Sequence, residues 1–121
     1  MRQVHISADA RRDIDDALQY SEERFGVAAE LRYRGLIETA VERLRIEPAG
    51  LGARPWPGTR SGLYVYHLRH SLRLVPAVAR VDSPRHLLVY RFDDERLRLI
   101  ALLDDSTDLP SRMRVLERLR D

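Results

Sequence analysis

The chain has no cysteine. That removes disulfides, thiol nucleophiles and thiolate metal sites together. It has no lysine either, because all 21 of its Lys+Arg residues are arginine. No reaction that needs a lysine amine is therefore open to it. A GC-rich genome explains this bias more simply than selection for arginine's bidentate contacts to phosphate and carboxylate. Long apolar runs are missing, so no segment can span a bilayer. The start, Met1-Arg2-Gln3-Val4-His5-Ile6, has no signal-peptide core. A cytoplasmic protein without membrane contact is the expectation. His67 and His70 have a loose metal-like spacing, but no further ligand set accompanies them, so neither a metal nor a cofactor is expected.

What is present is a chain of 121 residues, 44% hydrophobic and 33% charged. That suits one globular domain over residues 1–121 with a single core. The charge is uneven. Residues 9–47 hold ten acids and seven arginines, net −3, whereas residues 48–103 hold nine arginines and four acids, net +5. An acidic first half beside a basic second half suggests one surface that meets an anionic partner, nucleic acid or acidic protein.

Arg2 to Ile6 reads as a short strand. Ser7 is a good N-cap, and Asp9 adds negative charge to the helix it opens. Ala10, Ile14, Ala17, Leu18, Ser21 and Phe25 then share one stripe, and Gly26 closes the helix in a left-handed conformation. A second helix runs to Glu47 with Tyr33, Ile37, Ala40, Val41 and Leu44 inward, forming an antiparallel αα-hairpin with the first. Residues 48–61 read as a loop and residues 62–69 as a strand. Residues 70–83 are ambiguous, because Pro76 argues against a central ladder position; a long β-hairpin arm or a mobile excursion is expected.

Pro84 to Phe92 carries apolar residues on both faces and reads as the central strand. Residues 96–103 form its neighbour, and a last helix begins at Pro110 and runs through Met113, Leu116 and Leu119. The fold class is α+β: an antiparallel β-sheet packed against an N-terminal αα-hairpin, in the order β-α-α-β-β-β, with a short C-terminal helix.

These residues resemble the RelE/ParE superfamily of bacterial type II toxins, and its ParE branch most. The resemblance rests on order and spacing over nearly the whole chain. A helix opens Ala8-Asp9-Ala10-Arg11-Arg12-Asp13-Ile14-Asp15, continues through Tyr20 and turns at Phe25-Gly26. A second helix closes at Pro48, and Gly62-Leu63 opens the sheet. Tyr66-His67-Leu68-Arg69-His70-Ser71 then precedes the strand from Pro84 to Arg91. Three positions depart from the pattern. Tyr64 stands where arginine is frequent, Asp104 where a histidine closes the family's segment, and Thr107 where its methionine falls.

The resemblance implies a toxin neutralised by a cognate antitoxin. In the ParE branch the implied target is DNA gyrase, poisoned so that cleaved DNA accumulates. In the RelE branch it is ribosome-bound mRNA, cut at the 2′-hydroxyl. RNA cleavage of that kind needs a base, an acid and cations on the phosphate. With no lysine, and with Tyr64 and Asp104 at the departing positions, the balance favours a gyrase poison without chemistry of its own. A ribosome-dependent endonuclease is the alternative, and a toxin-fold remnant that only binds its antitoxin is the bland third.

If the chain is a nuclease, His70 and His86 are the acid and base beside Arg69, Arg85 and Arg91, with Tyr90 assisting. The plainer reading makes them strand-edge and solvated residues. For target or antitoxin binding, the candidates are Trp56, Arg60, Tyr64, Tyr66, Leu72, Leu74, Val75, Val78, Met113 and Leu116. Trp56 between two prolines suits an exposed anchor or a cover for the open end of the core. Tyr64 and Tyr66 share one strand face, more simply for packing than as a platform. Leu72, Leu74, Val75 and Val78 need a cover if the arm is unburied, which an added antitoxin strand or helix would supply. Met113 and Leu116 lie on an amphipathic helix that packs on its own chain or yields its groove to an antitoxin helix.

Overall fold

The computed structural model describes residues 1–56 and 62–118. Arg60, and Leu119 of the expected last helix, lie outside the described residues. The elements follow in the order β1 (Gln3–Ile6), α1 (Ala8–Phe25), α2 (Val27–Ile46), β2 (Arg54–Pro55), β3 (Tyr64–His67), β4 (His86–Phe92), β5 (Arg96–Asp104) and α3 (Leu109–Leu116). The architecture is α+β. Among the described residues no helix is long and apolar enough to cross a membrane.

Ser7 caps α1 by accepting the Ala10 N–H at 3.0 Å, and its own hydroxyl donates to the Ile100 carbonyl at 3.1 Å. One side chain thus starts the helix and ties it to β5. Gly26 joins α1 to α2 by itself, at φ 94 and ψ 174. This is not the left-handed helical turn expected from sequence but an extended, positive-φ geometry that only glycine adopts readily.

The sheet order is β1-β5-β4-β3-β2. β4 is central, as its two apolar faces require. Leu88 and Tyr90 point to the core under the helical hairpin, with Leu36, Ala40, Leu44, Leu97 and Leu99. Leu87 and Val89 point to a second core with Leu63, Val65, Leu103, Met113 and Leu116, where α3 covers the other face. A bulge opposite Val89 and Tyr90 leaves Ile100 without a partner in the ladder. The extra residue shifts the alternation of β5, so Leu99 and Leu102 both serve the hairpin side. The bulge carbonyl is the one Ser7 satisfies.

Two sequence expectations need correction. The sheet is mixed: β1 runs parallel to β5, with Gln3 opposite Arg96 and Ile6 opposite Leu99. Residues 70–83 form neither a hairpin arm nor an excursion. Leu68–Leu74 and Ala77–Ala79 are 3-10 helical segments. The first is capped by the His67 side chain, which accepts the Arg69 N–H, and Pro76 separates the two. The strand expected over 62–69 is correspondingly short, ending at His67.

Candidate functional site

β3 ends, β4 begins and β5 ends at one edge of the sheet, since His67 pairs with Leu87 and His86 with Asp104. His67 is occupied at both ring nitrogens. Nδ1 accepts the Arg69 N–H at 3.0 Å, which leaves the proton on Nε2 to donate to Asp105 Oδ2 at 3.0 Å. It therefore organises its neighbours and has no nitrogen left for proton transfer.

Three residues on, His70 is half-buried, with its ring 5.6 Å from that of Tyr66. Burial holds its pKa below the ordinary 6.5, helped by the positive charges of Arg69, Arg54 and Arg73. Arg54, Arg69 and Arg73 are exposed, and none forms an ion pair with a described residue. A neutral imidazole surrounded by three uncompensated guanidiniums can take up a proton while the arginines hold a phosphate.

A second cluster straddles the start of β4. Asp105 Oδ1 accepts from Arg85 Nε at 3.1 Å, and the bonds from His67 and Arg85 hold its carboxyl below the usual range. Behind it, the Tyr33 hydroxyl accepts the Arg85 N–H at 3.2 Å and lies 2.5 Å from His86 Nδ1. Which of the two atoms donates in that bond depends on the histidine tautomer. Burial pushes Tyr33 up to about 12 and His86 down, the latter against the pull of Asp104 and Asp105. Hydrogen bonds from Ser106 keep Asp104 ionised.

This cluster lines one end of a cleft of about 1120 Å³ between the helical hairpin and residues 78–86. The lining carries Asp13, Asp16, Asp82 and Asp104 against Arg32, Arg80 and Arg85, and Arg85 is already paired with Asp105. Such a balance disfavours a polyanion there.

The structure thus separates the residues expected to act together. No contact joins His70, beside Tyr66, to His86, which is held by Tyr33. Tyr90 does not face either histidine. It is fully buried, and its hydroxyl donates to the Pro48 carbonyl at 2.6 Å. Arg91 is half-buried on β4 opposite Arg98. Trp56 is half-buried on the second core, where Met113 and Leu116 are also buried. Tyr66 is buried, and Tyr64 packs between the rings of Tyr90 and Phe92 at 5.8 and 5.1 Å. Of the four apolar residues in the former arm, Val75 is buried and Leu72 packs on the core, while Leu74 and Val78 are exposed.

Sequence reasoning missed Tyr33, Asp105, Gly52, Arg54 and Arg73. For Gly52, Arg54 and Arg73 the one signal was their place in the basic stretch 48–103; Tyr33 and Asp105 lie outside it. Among the described residues no three His, Asp or Glu side chains converge as a metal site requires.

A helical hairpin on a five-stranded sheet, with cations and histidines gathered at one sheet edge, defines a RelE/ParE superfamily toxin. More narrowly, the chain belongs to the ParE toxin family: the model described as ParE toxin of type II toxin-antitoxin system, parDE, matches residues 4–109. It is the toxin of a type II toxin–antitoxin system. Solved structures agree on the fold. E. coli YafQ in the DinJ–YafQ complex aligns with a TM-score of 0.52 at 15% identity, covering 88% of this chain and 96% of that one. YafQ from E. coli strain BL21(DE3) gives 0.51 at 15% identity with the same coverage. No curated protein matches the sequence.

Proposed function

We propose that this toxin cuts RNA, with ribosome-bound mRNA as its substrate. The observation that carries the reading is His70, held neutral among Arg54, Arg69 and Arg73, which have no ion-pair partner among the described residues. In the reaction, the His70 imidazole takes the proton of a ribose 2′-hydroxyl as its oxygen bonds to phosphorus. The arginines hold the phosphate while the bond to the 5′-oxygen breaks. The leaving 5′-oxygen takes its proton from water, because His86 is neutral and stands in the separate Tyr33 cluster. The products are a 2′,3′-cyclic phosphate and a 5′-hydroxyl. The departures that weighed toward gyrase lose force here. The cations come from arginines at other positions, and Tyr64 is committed to ring packing.

A cognate antitoxin neutralises the toxin, as the family's description implies, and E. coli YafQ was solved in complex with DinJ. Exposed Leu74 and Val78 offer it apolar surface.

The test is to map mRNA 5′ ends in cells expressing wild-type, His70→Ala or His86→Ala protein. His70→Ala should lower cleavage by about 10²–10⁴-fold and abolish growth arrest with the circular dichroism spectrum unchanged. Full arrest by a folded His70→Ala, His86→Ala double variant would sink the proposal. The second reading, a gyrase poison, is favoured by the match to the ParE model itself. It requires trapped, cleaved plasmid when purified protein is incubated with gyrase and ATP.

A further inference from the structure

His70 follows a short strand and sits in a 3-10 segment, a poor scaffold for a side chain that must be aimed. Its position is set instead by what presses on it from two sides. On one side is the Tyr66 ring; the Tyr66 hydroxyl also meets Ser71 Oγ at 2.7 Å in a fully buried hydrogen bond, which anchors the residue next to His70. On the other side is Gly52, at φ +91. A Cβ there would lie 2.7 Å from His70 Cγ and 3.0 Å from its Cβ and Cδ2. Those atoms are at the root of the histidine side chain, so turning the ring about its own axis relieves nothing.

The backbone carrying Gly52 is itself held. Gly50 N–H bonds to Glu47 O and Ala53 N–H to Gly50 O, both at 3.1 Å. The Pro48 carbonyl receives the buried Tyr90 hydroxyl from the middle of the sheet.

We infer that Gly52 and Tyr90 are positioning residues for His70: Tyr90 pins the 48–53 loop to the central strand, and Gly52 lets that loop close against the imidazole. The inference rests on the RNA-cutting reading for its purpose but not for its geometry. It gives Tyr90 a role through structure, without contact to substrate.

Gly26 provides the control. It sits at φ +94 with nothing within 4 Å of its would-be Cβ. Alanine strains the backbone at both glycines, but only at Gly52 does it strike His70. The experiment follows the His70 ring Cε1–H resonance by NMR through a pH titration in wild type, Gly52→Ala, Gly26→Ala and Tyr90→Phe. In parallel, the rate of mRNA cleavage against pH is measured in a translation extract. Gly52→Ala should move the His70 resonance, bring its titration toward the ordinary 6.5 and slow cleavage about a hundredfold. Tyr90→Phe should move the titration in the same direction, and Gly26→Ala should leave both readouts within about twofold of wild type.

An unchanged His70 titration in both Gly52→Ala and Tyr90→Phe overturns the inference, as does an equal shift in Gly26→Ala. Wild-type protein that makes no cuts overturns the RNA-cutting reading instead, and the NMR arm then decides the positioning alone.

Discussion

Tyr33 serves two groups with one oxygen, taking the Arg85 N–H and sharing a hydrogen bond with His86 Nδ1. The consequence is a pH dependence whose sign can be worked out. The pKa of His86 is depressed in the fold, so between that value and the ordinary 6.5 the unfolded chain binds more protons. Its stabilising contribution is present above 6.5 and is lost as pH falls through the folded value. His70 has the same sign. Tyr33, raised to about 12, acts at the other end: its contribution is present below 10 and is lost as pH rises through the folded value. Thermal melts should show the midpoint dropping as pH is lowered from about 7 to about 5.5, a window above the ordinary carboxylate range. His86→Gln should flatten that slope; a slope left intact by it would refute the assignment. Tyr90→Phe leaves the Pro48 carbonyl buried without a donor and should cost about 1–3 kcal/mol in urea unfolding.

The elements differ in how readable they were. β4 could be recognised because Leu87 and Val89 face one core while Leu88 and Tyr90 face the other, a local pattern that needs no partner to be seen. The helical hairpin was equally plain from its stripes and from Gly26. The parallel placement of β1 was not, because it depends on pairing Gln3 with Arg96 across the length of the chain. The 3-10 segment escaped detection because a histidine, not one of the usual capping residues, holds its first turn. The site was half legible for a similar reason. His70 and Arg69 stood out, but Gly52 meets His70 only through tertiary contact. At this scale Ser7 is the most informative change. Ser7→Ala removes both the cap of α1 and the donor to the bulge carbonyl, and should cost about 0.5–2 kcal/mol by chemical denaturation.

Across the whole molecule, many arginines are spent locally: Arg12 pairs with Asp9, Arg34 with Glu30, Arg43 with Glu47, Arg45 with Glu42, Arg85 with Asp105 and Arg98 with Asp93. Arg54, Arg69 and Arg73 have no such neighbour among the described residues, so positive potential gathers where His70 lies. Binding of a short single-stranded RNA should therefore weaken with salt, with a slope of about −0.7 per phosphate contacted. Replacing Arg54, Arg69 and Arg73 by alanine should remove most of that slope, whereas Arg12→Ala should leave it; fluorescence anisotropy across a salt series checks both.

The parallel pairing of β1 with β5 also imposes an order on synthesis. β1 is made first but cannot dock until Arg96–Leu99 has emerged. At about 5–20 residues per second, that is a wait of roughly 5–20 s. The Pro48 loop must likewise wait for Tyr90 before it is fixed against His70. The loop that closes against His70 is thus fixed only once the central strand has been made, so the order of the chain delays the shaping of that edge.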